Sequence, residues 1–256
     1  MRIIAVTNQK GGSAKTTTTV NLAAALAEAK KRVLVIDLDP QGNTTSWLGI
    51  TAPDRGALEL LTDIDPPESL IRESTTVGVD CIPSTRGLNG AERQLAREMS
   101  AETTLKRRIA GMAGARWDYV LIDTPPTLGL LTLNALAASD ELIVPVEAHV
   151  LALAGVAQLF DTVRTVNERL NPSLTIAGIV ACRVDTRTRH ASDVVDSLRH
   201  TFTSQVFKTE VRENIRLAEA PSFHQPITTY DPRSTGALDY RALAREVLAQ
   251  EAGRHV

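Results

Sequence analysis

The beginning of the chain constrains its fold most. An apolar run over residues 3–6 leads directly into a glycine-containing loop, and a helical pattern follows over residues 15–29. Four more short apolar runs lie at residues 33–36, 119–122, 142–144 and 176–181, and longer helical patterns separate them. Further helical patterns cover residues 152–170, 191–202 and 240–252, and residues 54–90 are the least regular stretch. Uninterrupted runs of this length are typical of strands that are buried on both faces of a sheet. Helices between such strands predict an α/β fold with a doubly wound, mostly parallel sheet and helices on both faces.

The composition indicates a globular protein without a strong overall charge. Of 256 residues, 43% are hydrophobic and 23% are charged, and the net charge is −2, so DNA binding would need a local basic patch or oligomerisation. Cys81 and Cys182 are far apart and form no metal-ligand pattern, which favours a reduced, cytoplasmic protein. The sequence has no repeat, signal peptide or transmembrane run. We therefore expect a single domain over residues 1–256, without an N-terminal DNA-binding extension.

The loop after the first apolar run has the composition of a phosphate-binding loop. Successive backbone N–H groups of such a loop point at one spot, and the positive end of the following helix also attracts an anion. Lys15 would supply a positive charge to the outer phosphates of a nucleotide, and the Thr16 hydroxyl would bind Mg²⁺. The predicted nucleotide-binding residues of the loop are Lys10, Gly11, Gly12, Ser13, Ala14, Lys15, Thr16 and Thr17.

The loop departs from the usual Walker A pattern, Gly-x-x-x-x-Gly-Lys-Ser/Thr. Gln9 occupies the first glycine position and Ala14 occupies the second. The deviant form Lys-Gly-Gly-x-Gly-Lys-Thr fits better, because it includes Lys10 and fails only at Ala14. Alanine costs about 1 kcal/mol there if the backbone is left-handed, and almost nothing if it is right-handed. The simpler alternative is a glycine turn and two surface lysines before an amphipathic helix.

Three carboxylates lie where apolar runs end, at the sheet edge where open α/β sheets bind their ligands. Asp37 and Asp39 follow one run, and Asp123 ends another. Asp123 resembles a Walker B acid that holds Mg²⁺, and Asp39 is placed to orient the attacking water. Thr16, Asp39 and Asp123 are therefore the predicted metal site. For the first two carboxylates, a strand-ending turn with solvated side chains is the alternative. No Asn-Lys-x-Asp or Thr-Lys-x-Asp pattern for a guanine base is present, which favours ATP.

Four segments together resemble the ParA/Soj family of deviant Walker ATPases over almost the whole chain. They read NQKGGSAKTTTTVNLAAALAE, RVLVIDLDPQGNTTSWLG, DYVLIDTPPTLGLLTLNAL and VFKTEVRENIRLAEAPSFHQPITTYDPRSTGALDY. The resemblance implies that ATP joins two subunits into a homodimer, which binds double-stranded DNA without sequence preference. It also implies that a ParB-like centromere-binding protein stimulates a slow, Mg²⁺-dependent ATPase. Such a protein is cytoplasmic and nucleoid-associated, and it moves chromosomes or plasmids apart.

The same resemblance implies roles for individual residues of the nucleotide site. Lys10 would reach the phosphates of the other subunit, so the predicted catalytic residues are Lys10, Lys15 and Asp39. The adenine-side segment of the family, usually Pro-Arg-Asn, reads Arg-Glu-Asn in this chain. Arg212 and Asn214 are therefore the predicted nucleotide contacts on that side. Arg212 replaces the family's proline, a change that a backbone contact would survive.

The resemblance also implies a DNA-binding surface made of arginines. The DNA-contacting arginines of the family correspond to Arg187 and Arg216, and Arg183 and Arg189 are additional candidates. An ordinary solvated face is the alternative, because acidic residues are interspersed among these arginines: Asp185, Asp193 and Glu213.

Three other functions stay open at this point. A related ATPase that positions a cargo other than DNA would have the same catalytic residues. A membrane-bound MinD-like ATPase would end in a basic amphipathic helix, whereas residues 243–256 include Glu246 and Glu251 and few bulky apolar side chains. A nucleotide-switched DNA-binding module with little turnover is the third, because Ala14 departs from the loop pattern.

Overall fold

One mixed sheet organises the molecule. The structure, a computed structural model, describes residues 1–62, 66–112, 116–149 and 152–252. Within these residues the sheet has seven strands: β1 (Arg2–Val6), β2 (Val33–Asp37), β3 (Arg72–Glu73), β4 (Val79–Ile82), β5 (Tyr119–Asp123), β6 (Glu141–Glu147) and β7 (Thr175–Cys182). Their order across the sheet is β3-β4-β2-β5-β1-β6-β7, and only β3 runs antiparallel to its neighbour.

Helices connect the strands. The α-helices in the described residues are α1 (Lys15–Glu28), α2 (Asn43–Trp47), α3 (Ala57–Thr62), α4 (Ala91–Leu95), α5 (Thr104–Ala110), α6 (Leu130–Ala138), α7 (Ala152–Arg169), α8 (Arg189–Phe202), α9 (Ile215–Glu219), α10 (Ile227–Tyr230) and α11 (Thr235–Ala252). Short 3₁₀ turns lie at Pro67–Leu70, Arg86–Gly90, Ala101–Thr103, Thr203–Gln205 and Ala220–Phe223. None of these helices combines the length and apolar composition needed to cross a bilayer.

The two faces of the sheet are both buried, which explains the uninterrupted apolar runs. Leu34 and Ile36 of β2 pack into a core beneath α3 to α8. Their neighbours Val33 and Val35 point to the opposite face, where α1, α2 and α9 to α11 form a second core. Each position of such a strand therefore contacts apolar side chains, whichever way it points. The predicted α/β fold, with a doubly wound, mostly parallel sheet and helices on both faces, is confirmed.

The element boundaries follow the sequence closely except in one region. The helical patterns predicted at residues 152–170, 191–202 and 240–252 correspond to α7, α8 and α11. The stretch from residue 54 to 90, which reads as irregular, contains α3 and the strands β3 and β4. In β4 the apolar run is interrupted by Asp80, whose carboxylate accepts hydrogen bonds from Arg116 and Trp117 at 2.6 and 2.8 Å. The last four residues of the tail, 253–256, lie outside the described residues.

Candidate nucleotide-binding site

A cleft opens at the carboxyl edge of the sheet, where the loops after β1, β2, β5 and β7 converge. Its volume is about 560 Å³, and residues 11–17 form one wall. Asp39 and Asn214 also line it, so residues that are far apart in the sequence meet at one place. The lining residues that were not predicted as part of the site include Cys182, Glu213, Leu217 and Tyr240. A concave site with a few polar groups, at this edge of an α/β sheet, is where ligands bind.

The backbone of the glycine loop is left-handed at two positions. Gly12 has φ 77°, which glycine adopts at no steric cost. Ala14 has φ 67° and ψ 26°, and its carbonyl accepts the first hydrogen bond of α1, from Thr18 N at 2.8 Å. The structure thus resolves the question left open by the sequence: Ala14 adopts the glycine-favouring conformation and keeps the shape of the loop. The cost is about 1–2 kcal/mol of local strain.

Two buried polar atoms of the loop have no hydrogen-bond partner in the described residues, which bears on whether a phosphate fits there. Ser13 is 1% exposed, and its Oγ has no hydrogen-bond partner within the part of the chain that the structure describes. The same holds for Nε2 of Gln9. Buried polar atoms without partners are rare in folded proteins and indicate an absent ion, water or ligand. Because Ser13 lines the cleft and directly precedes the N-cap of α1, and a helix N-terminus favours negative charge, the loop fits a phosphate group.

Lys15 is the buried cation of the cleft. Its side chain is largely covered, and Nζ donates a hydrogen bond to the carbonyl of Lys10 at 3.3 Å. Burial lowers the pKa of Lys15, and the nearby carboxylates Asp123 and Asp39 oppose this shift. An anionic ligand would add to the carboxylates' effect and stabilise the charged ammonium. Lys15 is therefore suited to bind the outer phosphates of a nucleotide.

Two fully buried carboxylates lie side by side next to the loop, since Asp37 of β2 and Asp123 of β5 are paired in register. Oδ2 of Asp123 accepts hydrogen bonds from the hydroxyls of Thr16 at 2.8 Å and Thr44 at 2.7 Å. Burial raises the pKa of Asp123 to about 6. Burial and the neighbouring Asp123 charge raise the pKa of Asp37 to about 8, although Thr45 donates to it. Such pKa shifts in a cleft are typical of functional sites.

The oxygen atoms of Thr16 and Asp123 are the donors that Mg²⁺ prefers. They already lie 2.8 Å apart at the end of the phosphate loop. In the described ranges, no group of three or more His, Cys, Asp or Glu side chains could hold a metal ion. Mg²⁺ at a nucleotide usually has one or two protein ligands, and phosphates and waters complete its shell.

Asp39 lies in the segment that directly follows β2. It is 8% exposed and lines the cleft. Its Oδ1 accepts a hydrogen bond from Gln41 N at 3.0 Å, and its carbonyl accepts one from Gly42 N at 2.9 Å. The carboxylate is therefore held at the cleft by its own loop, where it can accept a hydrogen bond from a bound water.

Lys10 and Arg183 share one carboxylate that sequence reasoning missed. Lys10 Nζ lies 3.3 Å from one oxygen of Glu147, and Arg183 Nη1 lies 3.3 Å from the other. Glu147 ends β6 between the neighbouring strands β1 and β7, so the sheet topology brings the three side chains together. Arg183, proposed from the sequence as a DNA contact, lines the nucleotide cleft with φ 52°. Its DNA-binding role stays a prediction.

The two predicted adenine-side residues have different surroundings. Asn214 lines the cleft, begins α9 as its N-cap and donates to Thr235 Oγ1 at 2.7 Å. The Arg212 guanidinium instead binds Asp239 of α11, with Nη2 at 2.6 Å and Nε at 3.0 Å from its oxygens. The Arg212 backbone N–H also donates a hydrogen bond to Oδ2 of Asp239, at 3.0 Å, so only the carbonyl is left for the backbone contact proposed for Arg212, which stays a prediction.

The remaining DNA-binding candidates are exposed, and two of them, Arg187 and Arg216, are paired with acids. Arg187 binds Asp185 at 2.8 Å, and Arg216 lies 2.9 Å from Glu219. Arg189 is the exposed first residue of α8. The loops that carry these arginines run side by side, since Glu213 N donates to the Val184 carbonyl at 3.0 Å. The DNA-binding role of these arginines stays a prediction, and Asp185 and Glu219 would compete with DNA phosphates for Arg187 and Arg216.

Comparisons with known proteins find relatives that match nearly the whole chain. A family model described as an AAA domain matches residues 1–176. Sporulation initiation inhibitor protein Soj of Bacillus subtilis is 46% identical over 250 residues, which cover 97% of this chain and 98% of Soj. The chromosome-partitioning ATPase Soj of Thermus thermophilus is 47% identical over 250 residues, 98% of this chain and 96% of that protein.

A solved structure is similar over nearly the whole chain as well. It is cobyrinic acid a,c-diamide synthase from Mycobacterium smegmatis with bound ATP analog and magnesium. Its TM-score is 0.87 at 34% identity, with 98% of this chain and 96% of the other covered. The prediction of ATP and Mg²⁺ as cofactors is thereby confirmed. From the matched family model and these relatives, the chain belongs to the ParA/Soj family of P-loop ATPases.

Proposed function

We propose that this protein is a DNA-segregation ATPase whose ATP-bound homodimer binds double-stranded DNA without sequence preference. A ParB-like partner stimulates hydrolysis and so releases the dimer from the nucleoid. The observation that carries the proposal is the meeting of the phosphate loop, Asp39 and the Thr16–Asp123 pair around one cleft. The names of the Soj and ParA relatives, which include chromosome partitioning, support the cargo assignment.

The residues of the cleft divide the chemistry of hydrolysis among them. The loop N–H groups and Lys15 bind the phosphates of ATP, which is the substrate. Thr16 and Asp123 would hold Mg²⁺, which supplies positive charge to the phosphate oxygens during transfer. Asp39 accepts a hydrogen bond from the attacking water and aligns it with the terminal phosphate. Positioning and charge compensation of this kind account for most of phosphoryl-transfer catalysis.

Dimerisation makes DNA binding depend on the nucleotide. Lys10 directly precedes the cleft-lining residues 11–17, and its side chain is 44% exposed, so it can extend toward the phosphates of a second subunit. The net charge of one chain is −2, so the arginine surface of a single subunit binds DNA weakly. Pairing two subunits doubles the number of phosphates contacted, and binding should therefore fall steeply with salt.

The test is phosphate release from ATP with and without double-stranded DNA, for the wild type and Asp39→Ala. We expect slow release by the wild type, stimulation by DNA together with a ParB-like protein, and loss of hydrolysis with retained ATP binding in the variant. Because ATP is not consumed, the variant's ATP-bound dimer should persist. Full activity of Asp39→Ala would remove Asp39 from its role.

The same experiment separates the alternatives. Release that responds to neither DNA nor a ParB-like protein would indicate a positioning ATPase with another cargo. Binding of ATP without any release would indicate a nucleotide-switched DNA-binding module.

A further inference from the structure

The segment after Asp39 is attached to both buried carboxylates by two threonines of α2. Thr45 donates its N–H and its hydroxyl to Oδ2 of Asp37, at 2.8 and 2.6 Å. Thr44 donates its hydroxyl to Oδ2 of Asp123 at 2.7 Å. Thr45 thus ties α2 to the strand that the segment follows, whereas Thr44 ties it across to β5.

The oxygen that Thr44 contacts belongs to the metal-binding pair. Thr16 donates to the same Oδ2 of Asp123, at 2.8 Å. Thr44 is 0% exposed, so solvent water does not compete for its hydroxyl. The place of α2 is consequently linked to the carboxylate that would hold Mg²⁺.

The connection from Thr44 back to Asp39 is stiff. Gly42 N donates to the Asp39 carbonyl at 2.9 Å, and Ser46 N donates to the Gly42 carbonyl at 3.0 Å. Gly42 has φ 65° and begins α2 directly after this turn. A closed turn that continues into a helix cannot move at one end alone, so a displacement of Thr44 also displaces Asp39.

We infer that Thr44 is a positioning residue for hydrolysis, because its hydrogen bond to Asp123 sets the place of Asp39 relative to the metal centre. Thr44 acts through Asp39 and Asp123 and touches no substrate itself. The inference rests on the proposed function, in which Asp39 aligns the attacking water. It adds the structural link by which an occupied metal centre brings Asp39 into alignment.

The test compares Thr44→Val, which keeps the shape but lacks the donor, with Thr44→Ser, which keeps the hydroxyl. Thr165→Val, at an exposed position of α7, is the matched control. We expect Thr44→Val to lower kcat at least tenfold while KM for ATP stays within threefold. Thr44→Ser should stay within threefold of the wild type, and the control should be unchanged.

A second readout does not depend on turnover. Trp47 lies in α2, so its fluorescence in a Trp117→Phe background reports on the segment when Mg²⁺ and ATP are added. We expect a Mg²⁺-dependent change that is at least halved by Thr44→Val and restored by Thr44→Ser. If the wild type releases no phosphate, the proposed function fails, and the fluorescence still decides whether Thr44 links α2 to the metal centre.

Several results would overturn the inference. One is a kcat for Thr44→Val within twofold of the wild type. Another is an equal loss of kcat in Thr44→Ser, which would mean that side-chain packing matters and the hydroxyl does not. The inference is also overturned if Trp47 fluorescence does not change when Mg²⁺ is added, or if it changes equally in the wild type and Thr44→Val.

Discussion

Replacing Ala14 by glycine should relieve strain in the phosphate loop. Ala14 has φ 67° and ψ 26°, a conformation that costs a residue with a Cβ about 1–2 kcal/mol. Glycine removes this cost but gains conformational entropy in the unfolded chain, which offsets about 0.4–1 kcal/mol. It also loses a half-buried methyl group, which is about half of the ~0.8 kcal/mol of a buried CH₂. The free energy of unfolding should therefore rise by about 0.5 kcal/mol, or about 1–2 °C in Tm.

The assay is thermal unfolding of the wild type, Ala14→Gly and Lys30→Gly. Lys30 is a matched control, because it is also left-handed, with φ 65°, and lies just past the other end of α1. Lys30→Gly should stabilise without affecting nucleotide binding or turnover. Ala14→Gly should keep ATP affinity within about tenfold, ~1.4 kcal/mol, and leave the DNA-stimulated rate unchanged or higher.

Two results would refute this reasoning. A Tm lower than that of the wild type for Ala14→Gly, with a stabilised Lys30→Gly, would show that the methyl contributes more than the strain costs. A wild type that fails to bind ATP, beside a glycine variant that binds it well, would show that Ala14 disables the phosphate loop. The assignment as an active ATPase would then be wrong.

Three further predictions concern charge. Lys10→Ala should weaken ATP-dependent dimerisation and stimulated hydrolysis without unfolding the protein; unaltered dimer mass in light scattering with a slowly hydrolysed analogue would contradict this. Arg187→Glu and Arg216→Glu should each abolish DNA binding without affecting dimerisation, whereas the control Arg164→Glu, at an exposed position of α7, should change neither DNA binding nor dimerisation. Equal DNA affinity with and without ATP would contradict the model of a DNA-binding dimer. Burial raises the pKa of Asp37 to about 8 in the folded protein, while the unfolded chain releases this proton near pH ~4. Without nucleotide, Tm should therefore fall as pH rises from about 5 to 8.5, and it should fall less in Asp37→Asn; a Tm that rises over this window would refute the argument.

The sequence predicts most of the fold because the determining signals are local. Strands buried on both faces must be apolar at every position, so β2 and β5 are visible as runs. The glycine loop can also be recognised from a local signal, because its whole pattern lies within ten consecutive residues. The sequence does not reveal β4, because Asp80 interrupts its apolar run. The Asp80 carboxylate fits into the sheet only because it accepts hydrogen bonds from Arg116 and Trp117, which lie elsewhere in the chain.

The parts of the site that sequence reasoning missed depend on side chains brought together by topology. Glu147 and Thr44 are ordinary residues in the sequence and become significant only when β6 lies beside β1 and α2 lies beside β5. The state of Ala14 could not be decided from its residue type, since alanine fits either backbone conformation at different cost. The local sequence pattern therefore predicts the phosphate loop, whereas the contacts of Glu147 and Thr44 with the site can be recognised only in the three-dimensional structure.

The bridge between Glu147, Lys10 and Arg183 has a consequence for assembly. In the proposed dimer, Lys10 must exchange the carboxylate of its own chain for a phosphate in the other subunit, so association is in part an ion-exchange reaction. Ion pairs between exposed side chains contribute only about 0–1 kcal/mol, so each exchange weakens association by a factor of about five at most, and the two exchanges of a symmetric dimer by about thirty at most. Arg183 stays with Glu147 after Lys10 leaves, and its charge keeps that carboxylate from repelling the incoming phosphates. Before dimerisation, the ion pair with Glu147 thus holds Lys10 close to the cleft. The free energy needed to break this ion pair is smaller than the free energy that Lys10 gains from the phosphates of a bound nucleotide.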